Sequence, residues 1–272
     1  MTKYEMLVGH KTIGSNVSIL DNTRKHFGLG QKILVPCWIQ ITMYRVAIIN
    51  NVFFRSATYQ DLYIFIDEDP NCMNQVLKRR CSWADRSNDL EMQLYHDTEW
   101  GVPVHNDTKL FEFMVLECAQ AGLSWSTILR KRLDYRKAFV NYDVKRVAEF
   151  GMSHVEKLLK STNISIVRNR LKVNSAVTNA RAFIKIQHDF GSFDNYIWDF
   201  VEGRRTKHNF FKDCRQIPVR STESNNLSKD LKARGFSFVG PTICYALMQA
   251  IGMINDHTIN CFRHKELIEM KI

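Results

Sequence analysis

His257 and Cys261 stand four positions apart, which puts them on one face if the segment between them is helical. With nine His and seven Cys in 272 residues, chance supplies roughly 0.2 such ordered pairs, so the pair alone carries little. Cys81 and His96 supply two more ligands of the same types. Four of them would close a tetrahedral Zn2+ site with no open position, and a closed site is structural rather than catalytic. The alternative is a set of buried thiols and surface imidazoles. Aromatic residues interleave with these ligands: Trp83 follows Cys81 by two positions, Tyr95 precedes His96, and Trp100 and Trp125 follow. Core packing is the usual fate of such side chains, but a metal that fixes its ligands also fixes their neighbours. Glu117 lies in the apolar stretch LFEFMVLECAQAG, on the face of Phe113 and Met114. A carboxylate there needs a partner or a task, because an isolated buried charge is costly. A salt bridge to a nearby Arg or Lys is the ordinary solution.

These residues need rigid elements to hold them, and the chain after Met73 predicts helices. HNDTKLFEFMVLECAQAGLSW opens with a cap at Asp107 or Thr108 and is apolar on nearly every side, as a buried helix is. SIVRNRLKVNSAVTNARAFIKI has apolar residues at helical spacing and a cationic opposite face. LSKDLKARG puts Gly235 at a helix stop, and GPTICYALMQAIGMIND puts Pro241 in a first turn, where its missing N–H costs nothing. The expected fold is all-α. Residues 1–72 differ: ILVPCWIQITMY, VAIINNVFF and LYIFI read as strands, and no chemistry is evident among them. The chain therefore divides into an N-terminal extension, 1–72, of doubtful order, and a domain, 73–272. Because MNQVLKRRCSW makes a natural start, an over-extended reading frame is preferred for 1–72 over a β-rich appendage.

Lys+Arg number 38 against 28 Asp+Glu, a formal charge of +10. Residues 1–72 hold seven and six of these, so +9 lies in the later domain, which points to an anionic partner there. Hydrophobic residues at 45% exclude a disordered or collagen-like chain. The longest apolar stretch, between Lys32 and Arg45, is too short for a bilayer, which takes about 20 residues. Seven irregularly spaced cysteines and no signal-peptide pattern suggest an intracellular, cytoplasmic protein rather than a disulfide scaffold.

RCSWA, YHDTEWGVP, LFEFMVLECAQAGLSW, VRNRLKVNSAVTNARAF and LSKDLKARGFSFVGPTICYALMQAIGMINDH, followed by the His/Cys pair, closely resemble the DNA-3-methyladenine glycosylase I family. The resemblance runs from about Cys81 to Cys261 and covers nothing before Met73. It implies an all-α helix-hairpin-helix glycosylase domain with one structural zinc on Cys81, His96, His257 and Cys261. It puts the pocket carboxylate at Glu117, base-contacting aromatics at Tyr95 and Trp125, and further aromatics at or near the pocket at Trp83 and Trp100. Leu123 matches a loop position that wedges into DNA where the base has left. Arg168, Arg170 and Lys172 lie in or just after the hairpin and are candidate phosphate contacts, with Arg130–Arg132 and Lys229, Lys232 and Arg234 as further basic runs. In one respect the chain departs from the family: a glycine usual in the hairpin is Ser165 here, which weakens the expectation of a tight backbone–phosphate approach.

The activity this implies is monofunctional release of 3-methyladenine from alkylated double-stranded DNA by a monomer, nucleoid-associated if bacterial. N3-methylation makes the base cationic and a good leaving group, so the enzyme's main tasks are extrusion and selection. Ring faces at Tyr95 and Trp125 would favour a cation by about 0.5–2 kcal/mol. Glu117 would accept a hydrogen bond from the base, with orientation of the attacking water as a second role. The stretch VNSAVTNARAF has no carboxylate where related glycosylases carry a catalytic aspartate, in keeping with labile substrates. A non-catalytic, zinc-stabilised DNA-binding module on the same fold is the competing reading.

Overall fold

The computed structural model describes residues 6–8, 11–13, 78–85 and 89–270. The chain divides into two units, Met1–Val76 and Leu77–Ile272. In the first, β1 (Met6–Val8) pairs antiparallel with β2 (Lys11–Ile13). The strands expected at 33–44, 46–54 and 62–66 lie outside the described residues.

The second unit is helical. A short α1 (Ser82–Asp85) and α2 (Leu90–Thr98) lead into α3 (Asp107–Gln120) and α4 (Trp125–Ala138). After α5 (Val144–Ala148), α6 (Met152–Lys160) and the long α7 (Arg170–Phe190) flank a turn at 161–169. α8 (Phe193–Trp198), α9 (Thr222–Ala233), α10 (Pro241–Ala250) and α11 (Phe262–Glu269) complete the unit. Two-residue strands β3 (Lys207–His208) and β4 (Ile254–Asn255) pair in parallel between α8 and α11.

The middle of the unit is α3, in which every residue from Leu110 to Ala119 is buried. It packs against α4, α7, α8 and α10, so a helix apolar on all sides finds partners all round. Its cap is Asn106, whose side chain accepts the Lys109 amide at 3.0 Å. Asp107, expected with Thr108 as a candidate cap, instead receives the Phe193 and Asp194 amides at 3.0 and 2.9 Å, supplying acceptors to the first turn of α8. α7 starts only at Arg170, capped by Asn169, because residues 165–169 are taken up by the turn from α6. Pro241 opens α10, and Gly235 follows α9 at φ +90°, as their spacing predicts.

Gly252 carries the chain from α10 into β4 at φ +76°. A Cβ there would lie 2.4 Å from the backbone of both Val102 and Pro103, so only glycine lets these two strands of chain touch. That contact brings the segment after α2 against the segment before α11, where the candidate metal ligands sit.

A four-ligand cluster beside a pocket with unpaired polar atoms

Cys81 precedes α1, His96 lies in the last turn of α2, His257 follows β4, and Cys261 caps α11. His257 and Cys261 do not share a helix face; residues 256–260 are non-helical and turn back on themselves. Asp256 fixes that turn, because its buried carboxylate accepts from Tyr245, Gln249 and Asn209, each at 2.7 Å. All four ligand atoms lie within 4.8 Å of one another and all four residues are buried. Cys261 Sγ is 3.4 Å from both His96 Nε2 and His257 Nδ1, and Cys81 Sγ is 3.6 Å from His257 Nδ1. In a tetrahedral zinc site with ordinary bond lengths the S···N edge is about 3.5 Å, so the set fits such an ion.

The outer ring nitrogens support the same reading. His96 Nδ1 lies 2.8 Å from Asp97 Oδ1, and His257 Nε2 lies 2.9 Å from the Trp100 carbonyl. Donation to those acceptors leaves the inner nitrogens as bare lone pairs, which is the tautomer a metal requires. Asp97 is held in turn by Arg80 through bonds of 2.8 to 3.0 Å. A hydrogen bond from Cys81 pushes the Cys261 thiol downward, towards the thiolate, and the imidazoles assist. Asp97 and Arg80 went unremarked in the sequence, although the adjacency of His96 and Asp97 was a usable signal. Trp83 and Trp100 pack here: Trp83 is edge-on to His96 at 5.2 Å and to Trp100 at 5.1 Å, and Trp100 is edge-on to His257 at 4.5 Å.

Tyr95, next to His96 in α2, meets Trp125, with ring centroids 5.2 Å apart. Trp125 begins α4, which Ser124 caps through the Thr127 amide and which Ser126 ties to Asp89. Glu117 is 4% exposed and forms no hydrogen bond or ion pair among the described residues. The salt bridge that would be its ordinary fate does not form. Glu112, five residues earlier on the same helix and equally buried, shows what that fate looks like: Arg132 and Lys109 bind it at 2.7 and 2.9 Å. Burial alone pushes the Glu117 carboxyl up to about 8. Burial, then the nearby Glu117, lifts the Tyr95 phenol well above its ordinary value. Glu117 Oε2 and Trp125 Nε1 are both buried without a partner. Buried polar groups are rarely left so. Tyr95 joins the two, meeting Trp125 with its ring and feeling the Glu117 charge, which makes this a candidate place for a polar ligand.

The remaining candidates lie around the turns. Leu123, 39% exposed, sits on the turn between α3 and α4. Ser165 is exposed and does not take a positive φ; its Oγ accepts from Lys131 at 2.7 Å, and its amide donates to Asp134 at 3.0 Å. Arg168 donates to the Ser161 carbonyl across the turn at 2.7 Å, and Arg170 pairs with Glu156. Lys172 directs its ammonium inward, to the Ala119 and Ala121 carbonyls.

No described helix is long and apolar enough to cross a membrane. The methyladenine glycosylase family model matches residues 83–264. The DNA-3-methyladenine glycosylase 1 of Escherichia coli is 42% identical over 182 residues, covering 67% of this chain and 95% of that protein. A crystal structure of a 3-methyladenine DNA glycosylase I is 43% identical, with a TM-score of 0.64, and covers 68% of this chain and 98% of that one. A variant of a 3-methyladenine DNA glycosylase I, solved in complex with 3-methyladenine, is 32% identical with a TM-score of 0.63, covering 66% and 95%. With the match spanning the helical unit from α1 to α11, the chain belongs to the methyladenine glycosylase family.

Proposed function

We propose that the domain, taken as 73–272, is a base-excision repair enzyme that removes 3-methyladenine from alkylated double-stranded DNA and leaves an abasic site. The observation that carries this reading is Glu117: a buried carboxylate with no partner, near Tyr95, whose ring meets Trp125. A relative named for the same activity has been solved with 3-methyladenine bound. In the free protein the raised Glu117 carboxyl holds its proton at neutral pH. A cationic base entering the pocket favours the anion, so Glu117 gives up that proton and then accepts a hydrogen bond from the base's amine. Unmodified adenine brings no charge to offset the buried carboxylate, and this sets the discrimination. Tyr95 and Trp125 supply ring faces to the cation, and Trp125 Nε1 is free to donate. When the glycosidic bond breaks, its electron pair neutralises the departing base, and water adds to the sugar carbon, releasing a proton. As a second role, Glu117 would orient that water.

Cys81, His96, His257 and Cys261 would hold one structural zinc, which when bound closes the site with four protein ligands and fixes α2 against the loop before α11. Trp83 and Trp100 would pack edge-on against the two imidazoles of that site. We read α6, the 161–169 turn and α7 as the helix-hairpin-helix unit that holds the DNA backbone, with Ser165, Arg168 and Arg170 at its surface and Leu123 as the wedge. Incubation with alkylated duplex and analysis of the released bases tests the activity. Free 3-methyladenine is expected; none above a protein-free blank overturns the reading.

A further inference from the structure

Lys172 occupies a position that its own helix does not favour. It lies in the first turn of α7, at the positive end of that helix's dipole, where a cation is misplaced. Its ammonium crosses to the opposite kind of pole: it donates to the Ala119 carbonyl at 2.8 Å and the Ala121 carbonyl at 2.6 Å, at the C-terminus of α3. α3 has no basic residue in its own last turn. The Leu123 amide also donates to the Gln120 carbonyl, at 2.6 Å. Ala121 and Gly122, at φ −39° and +76°, then bend the chain through Leu123 to the Ser124 cap of α4. Half-buried, Lys172 lines a small cavity together with Val115, Ala119 and Val173.

We propose that Lys172 is a positioning residue that locks the Ala121–Ser124 turn, and with it Leu123, to the start of α7, so that the wedge and the DNA-holding hairpin move as one body. This rests on the glycosylase reading and gives Lys172 a task other than phosphate contact. The base pocket does not depend on this lock. Glu117 is seated within α3, and Trp125 is fixed through α4 by the Ser126–Asp89 bond and the Arg132 ion pairs to Glu99 and Glu112. Removing the ammonium therefore frees the turn while leaving the pocket intact.

The test is a double-mutant cycle with Lys172→Met, Leu123→Ala and the combination. Single-turnover release of 3-methyladenine from duplex and tryptophan-fluorescence titration with free 3-methyladenine are both measured. Lys172→Met is expected to slow release roughly tenfold or more, because a loosely held group loses its effective alignment. Affinity for the free base should stay within about twofold, as expected for a site not sharing the altered contacts. In the Leu123→Ala background, Lys172→Met should add nothing further, since both act through one wedge. Lys172→Arg, which keeps a cation able to reach the carbonyls, should recover most of the rate. Additive losses, parallel loss of free-base affinity, or an unchanged duplex rate would each overturn the proposal. If the wild type releases no base at all, it is the glycosylase reading that fails, and the fluorescence titration shows this separately.

Discussion

Two carboxylates on α3 show how a fold separates structure from chemistry at the level of single residues. Glu112 is buried and saturated by Arg132 and Lys109, an arrangement with no capacity for a ligand. Glu117 is as deeply buried and left open. Its carboxyl, raised from 4.5 to about 8 by burial, ties both stability and activity to pH. The folded state holds this proton more tightly than the unfolded chain does. The stability it contributes is therefore complete below pH 4.5 and is lost as pH rises through about 8. Glu117→Gln removes that dependence, so the difference in Tm between variant and wild type should grow, in the variant's favour, from pH 5 to pH 9. Activity should run the opposite way. The cationic base needs the anion, so wild-type kcat/KM should climb with pH and level off near the free-enzyme value of about 8. Glu117→Gln should be flat with pH and lower by on the order of 10²-fold, the usual loss when a single aligned electrostatic group is removed. A Gln variant with wild-type kcat/KM at every pH would remove Glu117 from the mechanism.

At the scale of elements, what the sequence made legible and what it hid divide along the range of the forces involved. Pro241 and Gly235 act through their own backbone angles, and both stand where their spacing predicts. Asp107 misled because its side chain serves α8, more than eighty residues later, a contact no local pattern encodes. His257 and Cys261 meet, but through a loop that Asp256 folds by long-range hydrogen bonds rather than along a helix face. At Ser165, where the family usually carries a glycine, the turn takes no positive φ, and Lys131 and Asp134 bind the serine's polar groups. Gly252 is the opposite case, a glycine whose need is absolute and invisible until the 102–103 backbone is placed beside it. Gly252→Ala combines a positive φ with a clash against backbone, so it should cost about 3 kcal/mol or more. Urea unfolding measures this; a loss below about 1 kcal/mol would mean the turn can shift away from Val102 at little cost.

In the helical unit as a whole, the first and last described segments of that unit meet at one place. Residues 78–85 and 255–264 are joined by the Phe262 amide to the Arg79 carbonyl at 2.9 Å and by the four-ligand cluster. Lys78 adds an ion pair to Glu266 at 3.4 Å and lies 4.5 Å from the Phe262 ring. The Thr258 amide donates to Cys81 Sγ at 3.4 Å, so the cluster reinforces a junction that other contacts also hold. A bound ion there acts as a crosslink across nearly the whole unit, and crosslinks over long separations restrict the unfolded chain most. It also stabilises by mass action, about 4 kcal/mol when free ion exceeds its dissociation constant a thousandfold. Cys261→Ser should therefore lower bound zinc from about one per chain towards zero, measured by elemental analysis, and lower Tm by several degrees. The helices around α3 pack through their own apolar surfaces, so helical circular dichroism should survive below the new Tm. The consequence for function follows from one peptide bond. Tyr95 precedes His96 in the same turn of α2, so releasing the ligand lets the pocket wall drift from Trp125. Affinity for free 3-methyladenine should fall in Cys261→Ser although no pocket residue has changed. A variant that loses its metal yet keeps both its Tm and its base affinity would show that the cluster holds nothing the protein needs.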